Sequence, residues 1–183
     1  MLSLDSPKWE DLRANGDAME IPLLIRRLQH TAAMDEFKHL WLNLWETIFH
    51  QYDVYTASYA ALPHLVDMVI KLPHIEVPFY AGSIGMIAAV AHREHVDCIL
   101  PSLQPAYITA LQKAAEFLIT LLPSPGWGES DYTLLCGALA AVQGYPILAI
   151  NLLDVILRPE ELFCPNCETF FPTFGYQLIN EKG

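Results

Sequence analysis

Leu62-Pro63-His64-Leu65-Val66 sets a proline ahead of an apolar helical stretch, and this pattern returns three more times along the chain, a large apolar residue preceding the proline in three of the four. The related stretches are Ile21-Pro22-Leu23-Leu24, Gln104-Pro105-Ala106-Tyr107 and Tyr145-Pro146-Ile147-Leu148, so the four prolines lie 41, 42 and 41 residues apart. Proline is cheap in the first turn of a helix, where its missing N–H would have no intrahelical partner. A helix opening near each proline therefore implies a repeating unit of two helices, since a period of about 40–47 residues marks stacked helical hairpins. Pro63 differs from the others: residues 54–62 already read as helical, so it falls inside its helix and should bend it.

Working outward from these prolines, apolar residues recur at three- and four-residue spacing from residue 6 to residue 157. Ser6-Pro7 reads as cap and first turn of an opening helix carrying Trp9 and Leu12, closed by Asn15-Gly16. Asp17 caps the next, whose apolar face is Ile21, Leu24, Ile25 and Leu28. Phe37, Leu40, Trp41, Leu44, Trp45 and Ile48 form the stripe of a helix over 34–50. Further helices are predicted over 54–72, 78–95, 102–122, 129–143 and 146–157. No segment there alternates with period two for long enough to read as a strand. Eight helices give four hairpins, each closing with its proline-marked helix. The expected division is a helical domain over 1–158 and a cysteine-bearing tail, irregular or a β-hairpin, over 159–183.

Composition narrows the function classes. Hydrophobic residues are 53% of the 183 and charged residues 17%, against about 45–50% and 25% in an average soluble domain. That is ample for a continuous core and leaves apolar surface for a partner. The longest uncharged apolar run, residues 77–91, is shorter than the roughly 20 residues a bilayer span needs and contains Gly82, Ser83 and Gly85. A buried helix, no membrane partner and a cytoplasmic location are the expectations. Ten basic residues face twenty-one acidic ones, a net charge of -11, with no Lys/Arg stripe. Nucleic acid is therefore an unfavourable partner, and a basic protein a favourable one.

Trp41-Leu42-Asn43-Leu44-Trp45, His50-Gln51, Val54-Tyr55, and Ala60-Ala61-Leu62-Pro63-His64-Leu65 resemble a segment of bacterial HEAT-repeat-like proteins. Cys164-Pro165-Asn166-Cys167 is similar to a knuckle that several of them carry. The resemblance covers about thirty residues, the remainder matching by period alone. It implies an all-α superhelix of about four hairpins that acts as an adaptor or partner-binding subunit. A few HEAT-like proteins are bilin lyases, but no motif here carries that activity over.

Two clusters stand out as candidate sites. His50 and His92 each lie thirteen residues before a repeat proline. Equivalent positions gather His50, Gln51, Asp53 and Tyr55 with His92, Arg93, Glu94, His95 and Asp97 on one edge of the stack. Exposed turns are polar in any case, and His50 at a helix C-terminus could simply cap carbonyls; the functional reading is a partner surface at His50, Gln51, Asp53, Tyr55, His92, Arg93 and His95. Trp127, in the loop Pro123-Ser124-Pro125-Gly126-Trp127-Gly128, is the candidate exposed aromatic anchor. Trp41 and Trp45, spaced by four on a Leu-rich helix, read as core. Cys98 and Cys136 read as buried thiols.

Cys164 and Cys167 offer half of a tetrahedral zinc site. His92 and His95 would end the first helix of a hairpin, whereas the cysteines follow the second helix of one, at the opposite edge. A sixteen-residue helix is about 24 Å long, so one ion cannot bridge them. Zinc completed by another chain, a redox disulfide and free thiols stay open, as does self-association through the aromatic tail. The functional expectation is a non-enzymatic protein-interaction module. The alternative is a metal-binding protein or enzyme using His92, Glu94 and His95 or the cysteine pair, although no nucleophile or oxyanion-hole motif accompanies them.

Overall fold

The computed structural model describes residues 1–93 and 99–157, and the backbone of 162–163 and 170–171. Among the described residues it is all-α apart from two short antiparallel strand pairs. The helices are α1 (Glu20–His30), α2 (Met34–Ile48), α3 (Thr56–Val69), α4 (Val77–Arg93), α5 (Gln104–Leu121), α6 (Glu129–Val142) and α7 (Pro146–Leu157). Strands β1 (Phe49–His50) and β2 (Asp53–Val54) pair between α2 and α3. Beyond α7, β3 (Leu162–Phe163) pairs antiparallel with β4 (Phe170–Phe171). Cys164 and Cys167 lie between those strands in sequence, outside the described residues, as do Glu94, His95, Asp97 and Cys98.

Among the described residues seven α-helices form where eight helices are predicted, because the opening one shrinks to a single 3-10 turn, Pro7–Trp9. Its ingredients are present: the Ser6 hydroxyl accepts from the Lys8 N–H at 3.3 Å. Nucleating a helix is costly, however, and a stretch this short with two apolar residues does not repay it. The segment is held instead by what it touches. Trp9 is fully buried and donates Nε1–H to the Ser3 carbonyl at 3.0 Å.

Residues 13–15 brace the turn between α2 and α3. The Asn15 N–H and side-chain amide donate to the Thr47 and Glu46 carbonyls, both at 2.9 Å, meeting acceptors that the end of α2 leaves open. The Arg13 N–H donates to the Thr56 hydroxyl at 2.7 Å, and the Arg13 carbonyl accepts from the Ala57 N–H. Asn15-Gly16 thus caps α2 from outside rather than closing a helix of its own, with Gly16 turning the chain at φ +115°.

Pro22, Pro105 and Pro146 fall in the first turns of α1, α5 and α7, and Pro63 lies inside α3, as the spacing predicts. The proline-marked helices α1, α3 and α5 pack in a row, α3 touching both neighbours. Beside them α4 is central: it packs on α3, α6 and α7, and residues 80–91 along it are buried without a break. The helical stretch His74–Arg93 is long and apolar enough to cross a membrane by composition alone, yet 78% of its most apolar window is buried inside the fold. Small residues permit this density. A Cβ on Gly85 would sit 2.6 Å from the Ala138 Cα, so α4 and α6 cross nearly backbone to backbone. The dimple where α3, α4, α5 and α6 meet holds only about 10 Å³.

Candidate functional site

A wide opening lies between α2 and α4, and the periodicity of α2 makes it. Trp41 and Trp45 sit one turn apart, and Lys38, Leu42 and Glu46 form the adjoining row at four-residue spacing. Trp41 turns into the core, where its ring meets Tyr80 of α4 edge-on at 4.8 Å and stacks near Phe37 at 6.1 Å. Trp45 stacks on Phe49 at 4.5 Å. Met86 and Ser83 of α4 complete the floor, and Leu157, at the end of α7, reaches the same space. The resulting groove has about 480 Å³. Leu42 and Phe79 also line an adjoining hollow of about 350 Å³ bounded by Lys38, Glu76 and Tyr80, so the two openings run along α2 as one trough.

Leu42 and Phe79, on opposite walls, are 50% and 44% exposed. Large apolar side chains are thus held in the open beside a concave, aromatic floor. The rim is polar. The His50 Nδ1 lies 3.4 Å from the Glu46 carboxylate, and the Lys38 ammonium lies 3.8 Å from that of Glu76. Desolvation, with Glu76 nearby, pushes the Tyr80 phenol up to about 12, so it stays neutral. The Trp41 Nε1 and the Tyr80 hydroxyl are buried in the wall without hydrogen-bond partners among the described residues.

The groove ends at a tight hairpin that periodicity cannot reveal. β1 and β2 pair Phe49 with Val54 and His50 with Asp53, leaving two connecting residues, Gln51 and Tyr52. Both adopt left-handed backbone, at φ 50° and 63°. Such primed two-residue turns suit the twist of a hairpin but normally carry Asn-Gly or Asp-Gly, and non-glycine residues there cost about 1–2 kcal/mol each. Packing offsets the strain: the Tyr52 ring meets Phe49 edge-on at 6.2 Å. Ser58 locks the base of the hairpin, accepting from the Tyr55 N–H at 2.8 Å and donating to the Ile48 carbonyl.

Of the predicted edge residues, the structure brings His50 and Gln51 to the groove, while Asp53 is exposed on β2 and Tyr55 is half-buried at the start of α3. His50 meets the Glu46 carboxylate rather than capping helix carbonyls, because β1 carries it past the end of α2. β2 packs on α4, whose last residues are His92 and Arg93. His92 is half-buried, its Nδ1 without a partner among the described residues, and Arg93 is exposed. His95 and Glu94 fall outside the described residues. Among the described residues, no three His, Cys, Asp or Glu side chains converge into a metal-binding group.

Trp127 corrects an expectation: it is only 8% exposed and is no surface anchor. Its loop folds back, Nε1–H donates to the Leu121 carbonyl at 3.2 Å, and the ring stacks on His74 at 3.8 Å. Cys136 is likewise exposed rather than buried. Leu42 and Phe79 are among the groove residues that sequence reasoning did not single out as sites, and Trp45, read as core, also lines the groove. For Leu42 the signal was available, since it lies off the apolar stripe of α2. The chain matches no protein-family model, no curated protein and no solved structure.

Proposed function

We propose that this protein is a non-enzymatic, protein-binding module of the HEAT-like type, and that the α2–α4 groove receives a segment of its partner. One observation carries the reading: Leu42 and Phe79 stand exposed on opposite walls of an aromatic-floored trough. Covering them removes apolar surface from water, which is favourable by about 25 cal/mol per Å². The row formed by the proline-marked helices α1, α3 and α5 is compatible with a helical-repeat architecture.

The test is a comparative capture experiment. Leu42→Asp combined with Phe79→Asp should abolish retention of the partner proteins that the unmodified chain binds. Ile119→Asp, at a 52% exposed site on α5, should leave retention unchanged. Equal capture by both variants would remove the groove from the account.

A further inference from the structure

The kind of partner follows from the charge and geometry of the same groove, and this step rests on the reading just given. We infer that the groove takes an amphipathic helical segment carrying two basic residues about two turns apart, with large apolar residues between them. Lys38, Leu42 and Glu46 lie in one row along α2, and Glu76 meets Lys38 at 3.8 Å. Eight residues at 1.5 Å each set Lys38, with Glu76 beside it, about 12 Å from Glu46 along α2. The apolar pair Leu42 and Phe79 stands between them. Two carboxylates against one ammonium leave the rim acidic, within a chain of net charge -11.

The occupant is a helix because both long walls, α2 and α4, are helices whose backbone groups are already paired, and β1 at the groove's end is only two residues long. A helix satisfies its own backbone and needs only a side-chain groove. Charge decides between sources. The chain's own residues 158–183 carry Glu160, Glu161, Glu168 and Glu181 against Arg158 and Lys182, so they bring net negative charge to an acidic rim. A second copy brings a net charge of -11. A basic segment from another protein is attracted by the same field.

The test uses three labelled helical peptides of about 18 residues (~27 Å), alike in their apolar residues. They carry Lys, Gln or Glu at the two flanking positions, and binding to the full chain is followed by fluorescence anisotropy at low and high salt. Exposed ion pairs each change affinity by about 1.4- to 5-fold. Because Lys38 offsets Glu76, one net attraction in one peptide and one net repulsion in another predict that the Lys peptide binds about fivefold tighter than the Glu peptide at low salt. That margin should shrink at high salt. Glu46→Lys should erase most of it, whereas Glu116→Lys, the same charge change on α5, should not.

Equal binding of all three peptides would overturn the inference and leave the groove reading standing. No binding by any would overturn both. Equal effects of Glu46→Lys and Glu116→Lys would reduce the preference to net charge and remove the geometric match. A peptide of residues 158–183 binding as tightly as the Lys peptide, or a dimer that Leu42→Asp dissolves, would replace the proposed occupant.

Discussion

Replacing Gly85 by alanine adds one methyl group at the point where α4 crosses α6. On helix propensity alone the change should stabilise, since alanine is favoured over glycine inside a helix by about 1 kcal/mol. The crossing argues the other way. The new Cβ would lie 2.6 Å from the Ala138 Cα and 3.1 Å from its Cβ, with Leu153 Cδ1 at 3.3 Å. A backbone atom cannot rotate away as a side-chain tip can, so the helices must part by about 1 Å to reach ordinary contact. Overpacking of this kind costs about 1–3 kcal/mol, and the rigid neighbour places it in the upper part of that range. Net of propensity, Gly85→Ala should lose about 1–2 kcal/mol, lowering Tm by about 2–8 °C for a chain of this length. Gly82→Ala is the internal control. It lies one turn earlier in α4 with the same propensity gain, but its Cβ meets the Leu134 Cδ2 tip at 2.8 Å, which can swing aside. Urea and thermal unfolding followed by helical circular dichroism would measure both. Gly85→Ala as stable as Gly82→Ala, or more stable than the parent, would refute the close crossing of α4 and α6.

Acid should weaken the fold through His64. Burial holds its imidazole below the usual 6.5, outweighing the hydrogen bond from its Nε2 to the Leu2 carbonyl at 2.8 Å. The unfolded chain therefore takes the proton first, and this contribution, complete above about 6.5, is lost as pH falls through the lower folded value. His64→Gln should flatten that part of the stability-pH curve. Ser58→Ala removes the acceptor of the Tyr55 N–H and the donor to the Ile48 carbonyl, and should cost about 1–3 kcal/mol in urea unfolding. In the hairpin, Gln51→Gly should stabilise by about 1 kcal/mol by relieving left-handed strain. Tyr52→Gly should destabilise, because the lost packing on Phe49 outweighs the same relief; differential scanning calorimetry reads both signs.

The helices were legible because their cause is local. Apolar spacing and first-turn prolines place α7 at its observed bounds and α2 to α6 within two residues at most ends. What escaped depends on partners distant in sequence. The opening helix fails because residues 13–15 find better use capping α2, a relation visible only once the chain has folded. The Gln51-Tyr52 turn lacks glycine, so its left-handed backbone is imposed by Ser58 and by Phe49 packing rather than announced by composition. Trp127 stood in a proline- and glycine-rich loop and so read as exposed, yet an indole N–H and a ring face found partners in Leu121 and His74. The candidate site was half legible. Repeat spacing led to His50 and Gln51, while the groove beside them depends on which side of α2 the tryptophans turn to, and the stripe alone does not separate floor from core.

The most direct measurement of the central claim is site-directed photo-crosslinking. A benzophenone side chain would be placed in turn at position 42 in the groove and at position 148 on α7. Leu148 is a demanding comparison, being 55% exposed among Tyr145 and Ile147, on the other conspicuous apolar face. The account predicts that proteins captured in cells crosslink from position 42 and that competing Lys-flanked peptide suppresses the crosslink. Crosslinks from position 148 alone, or a position-42 crosslink indifferent to the peptide, would contradict it.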